Sequence, residues 1–194
     1  DQIEFSGGKK NTINFEFVKG RLKERYEDSS PQTKVRFFEK LYVDNQTNEN
    51  KYSFISALQS NGQTDDALKL INEILDKFPK NLILNITKSE ILLSGQRLDD
   101  AKQTIDEVLK ISPDNYPASI LKSKIFSAKK ETIKAEEILR DLLISKNRNP
   151  SLWMQLSEVQ RAGKNIVGYH LSRGEYFTLI GDFDNALNQF QFAL

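Results

Sequence analysis

One histidine and no cysteine set the limits of the chemistry open to this 194-residue chain. Without cysteine there is no thiol nucleophile, no disulfide, no zinc–thiolate site and no iron–sulfur cluster. A single imidazole, His170, excludes sites that need two, including the HExxH helix of a zinc protease. A Ser-His-Asp triad would have to use His170, yet the chain has no G-x-S-x-G elbow. His170 is therefore expected to be a half-buried helix–helix contact with one hydrogen bond. The paired carboxylates Asp65-Asp66, Asp99-Asp100 and Glu136-Glu137 could in principle serve acid–base or cation chemistry. Their periodic placement at helix starts reads instead as capping, and no D-x-D-x-D-G calcium loop is present.

Charge is nearly balanced, with 28 Lys+Arg against 27 Asp+Glu and a net charge of +1. That balance gives no footprint for nucleic acid. The basic groups Lys9-Lys10, Lys129-Lys130 and Lys146-Asn147-Arg148 read as solvated surface. With 38% apolar and 28% charged residues the chain can bury a core. No apolar run approaches the ~20 residues of a membrane span. The opening Asp1-Gln2-Ile3-Glu4-Phe5 is not a signal peptide. It lacks Met, and the closing Gln191-Phe192-Ala193-Leu194 has no helix stop, so both ends read as cuts through a longer protein.

The elements that carry these residues repeat. Ala67, Ala101 and Ala135 are evenly spaced, and the same interval separates Pro79 from Pro113 and Asn81 from Asn115. Small residues let two helices approach closely. Gly62, Gly95 and Gly181 are expected to supply the left-handed turn after a first helix. Asp65-Asp66, Asp99-Asp100 and Asp182 open the second helix, where a carboxylate complements the dipole, and Pro79 and Pro113 stop each unit. In these marks, and in a period of about 34 residues, the chain resembles the tetratricopeptide (TPR) repeat, a helix-turn-helix unit. The fold expected is all-α, a TPR-like helical-hairpin solenoid.

The register is expected to slip once. Gly181-Asp182-Phe183-Asp184-Asn185-Ala186 repeats the Gly62–Ala67 spacing, but the step from Ala135 to Ala186 is one and a half periods rather than one. An extra helix over about 150–163, starting at Pro150, accounts for the difference. Before the array, Phe15, Val18, Leu22 and Tyr26 mark one helix, and Val35, Phe38, Leu41 and Tyr42 mark a second behind Ser30-Pro31. Residues 13–47 are thus two capping helices packed on the first repeat, 1–12 a linker or disordered arm, and 48–194 the repeat array.

Two stretches resemble a narrower family. Ile13-Asn14-Phe15-Glu16-Phe17-Val18-Lys19-Gly20-Arg21-Leu22 is similar to the segment joining catalytic and repeat domains in BepA-like (HtpX-related) periplasmic zinc metalloproteases. Val167-Gly168-Tyr169-His170-Leu171-Ser172-Arg173-Gly174-Glu175-Tyr176-Phe177, with Gly181-Asp182-Phe183 and Ala186, resembles their last repeat, and Trp153 their penultimate helix. One departure is Gly174, where the family usually has Ala; both are small, so packing is expected to change little. The resemblance implies a C-terminal, non-catalytic region of a Gram-negative periplasmic protease acting in outer-membrane protein assembly and quality control. Its zinc and ligands would lie upstream, with the protease domain a partner in cis. The other reading is a TPR adaptor or scaffold with no protease attached, in the cytoplasm or elsewhere.

Stacked repeats present their first helices on one face. Numbering from the crossing Ala puts Tyr52, Gln59, Ile86, Glu90, Ile120, Lys124, Leu171 and Glu175 there. Aliphatic residues followed four later by a charge suit extended or helical peptide segments. The last Phe and Leu residues, Phe190, Phe192 and Leu194, read as an apolar end where partners or sister molecules could dock; the oligomeric state stays open. No cofactor is expected in this chain, and metal analysis of the purified protein should find no stoichiometric zinc. One zinc per chain would overturn that expectation.

Overall fold

A polar cap starts each first helix, and the caps keep time along the chain. Thr47, Asn81, Asn115 and Asn149 each accept a backbone N–H two or three residues ahead, and they are evenly spaced at the repeat period. The structure, a computed structural model, describes residues 8–194, with side chains from residue 13. Eleven helices form among these residues, with no strand: α1 (Gly8–Tyr26), α2 (Pro31–Asp44), α3 (Asn48–Ser60), α4 (Thr64–Leu75), α5 (Leu82–Ser94), α6 (Leu98–Ile111), α7 (Tyr116–Ala128), α8 (Thr132–Lys146), α9 (Pro150–Ala162), α10 (Ile166–Leu179) and α11 (Phe183–Phe192). The expected linker over 1–12 falls partly outside the described residues; from Gly8 the backbone is already helical.

Within each hairpin one left-handed residue makes the turn. These residues are Gly62 (φ 76°), Gln96 (φ 59°), Lys130 (φ 63°), Lys164 (φ 59°) and, before α11, Gly181 (φ 82°). The first four recur at the repeat period. Behind each, the next amide bonds back five residues: Gln63 to Leu58, Arg97 to Leu92, Glu131 to Phe126, Asn165 to Gln160 and Asp182 to Phe177. This is a Schellman closure, which satisfies carbonyls the helix leaves free. Gly95 does not make its turn: its φ is −80°, and Gln96 takes the left-handed place. Gly95 is needed for closeness instead, since a Cβ there would stand 2.4 Å from Thr64 Cγ2.

The helical register runs on through α9 and α10, and the expected half-period step falls at α11. α9 opens one full period after α7, at Pro150 against Tyr116, and α10 one full period after α8, at Ile166 against Thr132. The left-handed turn at Gly181 then comes half a period after Lys164, so the described array holds one helix more than whole repeats; the crossing alanine is missing from α10, where Tyr169 follows Ala67, Ala101 and Ala135 in the series. α10 still approaches α9 closely because the residues it buries there are small: Gly168, where a Cβ would stand 2.8 Å from Gln160 Nε2, and Ser172, which donates to Gln160. Gly174 is stricter than the Gly/Ala equivalence suggests. A Cβ there would meet the Phe190 ring at 2.4 Å, so the ring of α11 would have to move.

The chain divides into two units, one ending at Thr104 and the other comprising Ile105–Leu194. In the first, Phe38, Ile55, Leu58, Ala67, Ile71, Leu84 and Ile91 build the core from α2 to α5. Ala67 is fully covered, as its crossing role requires. In the second, Phe126, Ala135, Leu139, Leu143, Leu152, Leu156 and Val159 form one cluster across α7, α8 and α9. A polar chain, buried at Gln160 and Ser172, ties the next layer: Arg140 donates to Glu136, Gln160 Nε2 donates to Glu136 Oε1 (3.0 Å), and Ser172 Oγ donates to Gln160 Oε1 (2.7 Å). Burial pushes the Glu136 carboxyl up, but the bonds from Gln160 and Arg140 outweigh it and hold the group below its ordinary range.

The acidic pairs divide in role. Asp65-Asp66 and Asp99-Asp100 sit in first turns, where they complement the dipole, while Asp182 is a true cap accepting from the Asn185 amide at 3.3 Å. Glu136-Glu137 lie past the first turn of α8, and Glu136 serves the polar chain instead.

A side chain at a left-handed residue costs about 1 kcal/mol that glycine avoids. Lys130→Gly and Lys164→Gly should each stabilise the fold by about that amount, raising the thermal midpoint by ~2–4 °C. Gly62→Ala should lower it similarly. A thermal melt by circular dichroism reads all three.

Candidate functional site: the first-helix faces

In the first unit the face shared by α3 and α5 is occupied. α1 lies along it and inverts the expected amphipathic pattern. Phe15 (65% exposed), Val18, Leu22 and Tyr26 (81% exposed), the stripe expected to pack inward, point to solvent. The docked side is Phe17, Gly20, Arg21 and Glu24, at i, i+3, i+4 and i+7. Phe17 is fully buried, its ring 5.4 Å from Tyr52 and 6.5 Å from Phe78. Gly20 passes so close to α3 that a Cβ would lie 2.5 Å from the Glu49 carbonyl oxygen, and Ser53 Oγ donates to the Gly20 carbonyl at 3.0 Å. A larger residue could not make that approach, which is why α1 docks by this side.

The rest of the contact is polar. Arg21 pairs with Glu90 of α5, and Lys19 (2.9 Å) and Lys23 pair with Glu49 of α3. Asn81 Nδ2 donates to Asn14 Oδ1 at 2.8 Å, and Asn48 Nδ2 to Glu16 Oε2 at 3.2 Å. Glu24 accepts from Ser60 Oγ (3.1 Å) and Lys34 Nζ (3.3 Å). Burial works against the Arg21 charge, but Tyr52 and Glu90 beside it raise its pKa above the ordinary value.

The eight expected groove residues therefore separate. Tyr52 is fully buried beneath Phe17 and hydrogen-bonds Thr87; burial pushes its hydroxyl pKa up. It is a packing residue here rather than an open contact. Ile86 is buried too, and Glu90 is engaged by Arg21. Gln59 is half-exposed. In the second unit Ile120 packs against the α7–α9 cluster, whereas Lys124 projects to solvent. Leu171 and Glu175 are exposed, but α10 is in register with the second helices α4, α6 and α8. The fourth first helix is α9, and its residues one period beyond Ile120 and Lys124 are half-buried Met154 and exposed Glu158. The signal for them is the cap series ending at Asn149, whose Nδ2 also donates to Tyr116 Oη of α7 at 3.1 Å.

His170 is where the sequence places it: half-buried, with Nδ1 2.9 Å from Gln189 Oε1 and its ring against Tyr169 and Phe192. Phe192 and Leu194 are exposed and Phe190 is half-buried against Gly174. A cleft of about 650 Å³ opens beside α7 and α8, lined by Tyr116, Lys122, Asp141, Leu142 and Lys146. No group of three or more metal-ligating side chains forms among the described residues, and no helix among them is long and apolar enough to cross a membrane.

The α1 contact should respond to acid. Burial pushes the Glu49 carboxyl up, but the bonds from Lys23 and Lys19 outweigh it and leave the group below its ordinary value of 4.5. A depressed carboxylate contributes stability above its unfolded value and loses it as pH falls through the folded one. The denaturant midpoint should thus fall between about pH 5 and about pH 3, and Glu49→Gln should flatten that fall.

Residues 58–118 match the family model described as tetratricopeptide repeat. Among solved structures, a thermophilic TPR protein of Thermus thermophilus superposes with a TM-score of 0.68 at 16% identity, covering 93% of this chain and 98% of its own. A tetratricopeptide repeat protein of Parabacteroides merdae gives 0.62 at 15% identity, covering 97% and 80%. A chain of the APC/C hetero-tetramer Cut9-Hcn1 gives 0.53 at 15% identity, covering 94% of this chain and 37% of that one. No curated protein matches the chain. In fold, then, this is an all-α, tetratricopeptide-like array of helical hairpins, and residues 58–118 carry the repeat's own sequence pattern.

Proposed function

We propose that the chain is a non-catalytic module that binds polypeptide segments of other proteins. The observation that carries this reading is the first-helix series in the second unit, where Ile120 and Met154, and Lys124 and Glu158, recur at the repeat spacing with the charged ends in solvent. Such alternation of apolar and charged positions suits a peptide whose backbone lies along the helices. A chain similar in fold is seen within the Cut9-Hcn1 hetero-tetramer.

The finer reading is the C-terminal region of a Gram-negative periplasmic zinc metalloprotease, recognising substrates or partners in outer-membrane protein assembly and quality control. Its support is the resemblance of Ile13–Leu22 and Val167–Phe177 to that family. Under this reading the zinc belongs to a domain ahead of Asp1, which is also the partner in cis. A TPR adaptor unrelated to a protease is the second reading, favoured by the family match being to the repeat alone. An HExxH coding sequence upstream in the same gene separates the two.

The binding reading is tested with a urea-unfolded outer-membrane β-barrel protein as probe, diluted into solutions of the full chain. Lys124→Glu with Glu158→Lys should weaken capture about tenfold, as expected for reversed charges at a binding face, while leaving the thermal midpoint unchanged. Equal capture by the double variant would remove this face from the proposal. No capture by the unmodified chain would remove the outer-membrane substrate.

A further inference from the structure

Among its described residues α1 contributes one fully buried large apolar side chain, Phe17, to its docking on α3 and α5. The remaining contacts are ion pairs and hydrogen bonds of groups that water can also satisfy, such as Arg21–Glu90 and Asn81–Asn14. Arg21 and Lys23 remain substantially exposed while paired. Core helices of the same unit differ sharply: α4 alone buries Ala67, Leu68, Ile71, Ile74 and Leu75. By composition the α1 contact is an interface, not a core. α1 also leaves a second apolar stripe, Phe15, Val18, Leu22 and Tyr26, facing water. A helix with apolar residues on two opposite sides is only half satisfied where it lies. It joins α2 through four residues, Glu27, Asp28, Ser29 and Ser30.

We propose that α1 is a displaceable occupant of the α3/α5 face, and that this face takes partner helices carrying an aromatic residue, a glycine, an arginine and a glutamate at i, i+3, i+4 and i+7. The occupant in place defines the chemistry of its replacement. The aromatic ring fills the space over Tyr52 and beside Phe78. Glycine is required at the next position because the Glu49 carbonyl leaves no room for a Cβ. The arginine meets Glu90, and the glutamate meets Ser60 and Lys34. A partner helix with this pattern binds only when α1 leaves, so the face is closed at rest and opened by competition. Tyr52, buried while α1 is docked, is then the floor of a real binding surface. This inference rests on the reading of the chain as a protein-binding module, but its test uses the chain's own segment and is independent of any outside partner.

The test combines amide hydrogen exchange on the full chain with binding of a fluorescent synthetic peptide of residues 8–26. In the unmodified chain the amides of residues 13–26 should exchange at least about 100-fold faster than those of α3 and α5, as a separately opening segment does. Arg21→Glu should speed α1 exchange about tenfold further without altering α5 or α6, and adding Glu90→Arg should restore it. The peptide should bind the Arg21→Glu chain at least tenfold more tightly when its own sequence is unmodified than when it carries Gly20→Leu. Exchange of α1 in one step with α3 would overturn the proposal, and so would a peptide that binds equally with and without Gly20→Leu or does not bind at all. Failure of the outer-membrane probe to bind the second unit would leave these outcomes unaffected, so the two readings fail separately.

Discussion

A left-handed residue at the end of each first helix is the constraint on which the array depends. Its amide and the one after it bond back into the helix just ended, so the chain reverses within about three residues. The second helix then starts at a fixed offset, and its small crossing residue meets the first helix at the same height in each turn of the pattern. Gly62, Gln96, Lys130 and Lys164 hold this place at an unbroken, even spacing, although three of them carry side chains that the conformation disfavours. Tight closure, not glycine as such, is what the repeat needs. The five-residue back-bond fixes the geometry strongly enough to impose a left-handed φ on lysine and glutamine.

Given that register, the packing chemistry can vary. The crossing alanine is fully covered in α4, α6 and α8, and is absent from α10, where Gly168 and Ser172 allow the approach to α9 and Gly174 the approach to α11. The α8–α10 layer is joined by a chain of hydrogen bonds through buried Gln160, whose two amide ends each find a partner. This polar link replaces apolar contacts that small residues cannot make.

How far the sequence reaches depends on the distance over which each cause acts. The helix boundaries, the acidic first turns and the repeat period are all readable, because caps and Schellman turns act within about five residues of chain. The asparagine caps carry the register more faithfully than the alanines. A cap must be polar at one particular place, whereas a crossing position can be refilled when neighbours shrink. For this reason the alanine series breaks at α10, while Thr47, Asn81, Asn115 and Asn149 hold one register through α9. His170 is legible as a packing residue from elimination alone, since it has no chemistry to join.

The open site is a different matter. For part of the first-helix face the sequence alone sufficed: Tyr52, Ile86 and Ile120 follow from period and helix pitch, with Glu90 and Lys124 one turn on, whereas Leu171 and Glu175 fall on a helix in register with the second helices. Only the tertiary structure decided which of them a partner can reach. The apolar stripe of α1 is the stronger amphipathic signal, yet α1 docks by its other side, because Gly20 permits a close approach and Glu49 and Glu90 await its cations. Arg21 and Glu90 are 69 residues apart in the chain. No local rule links them; they meet only because two helices, each specified by its own caps, have been brought side by side.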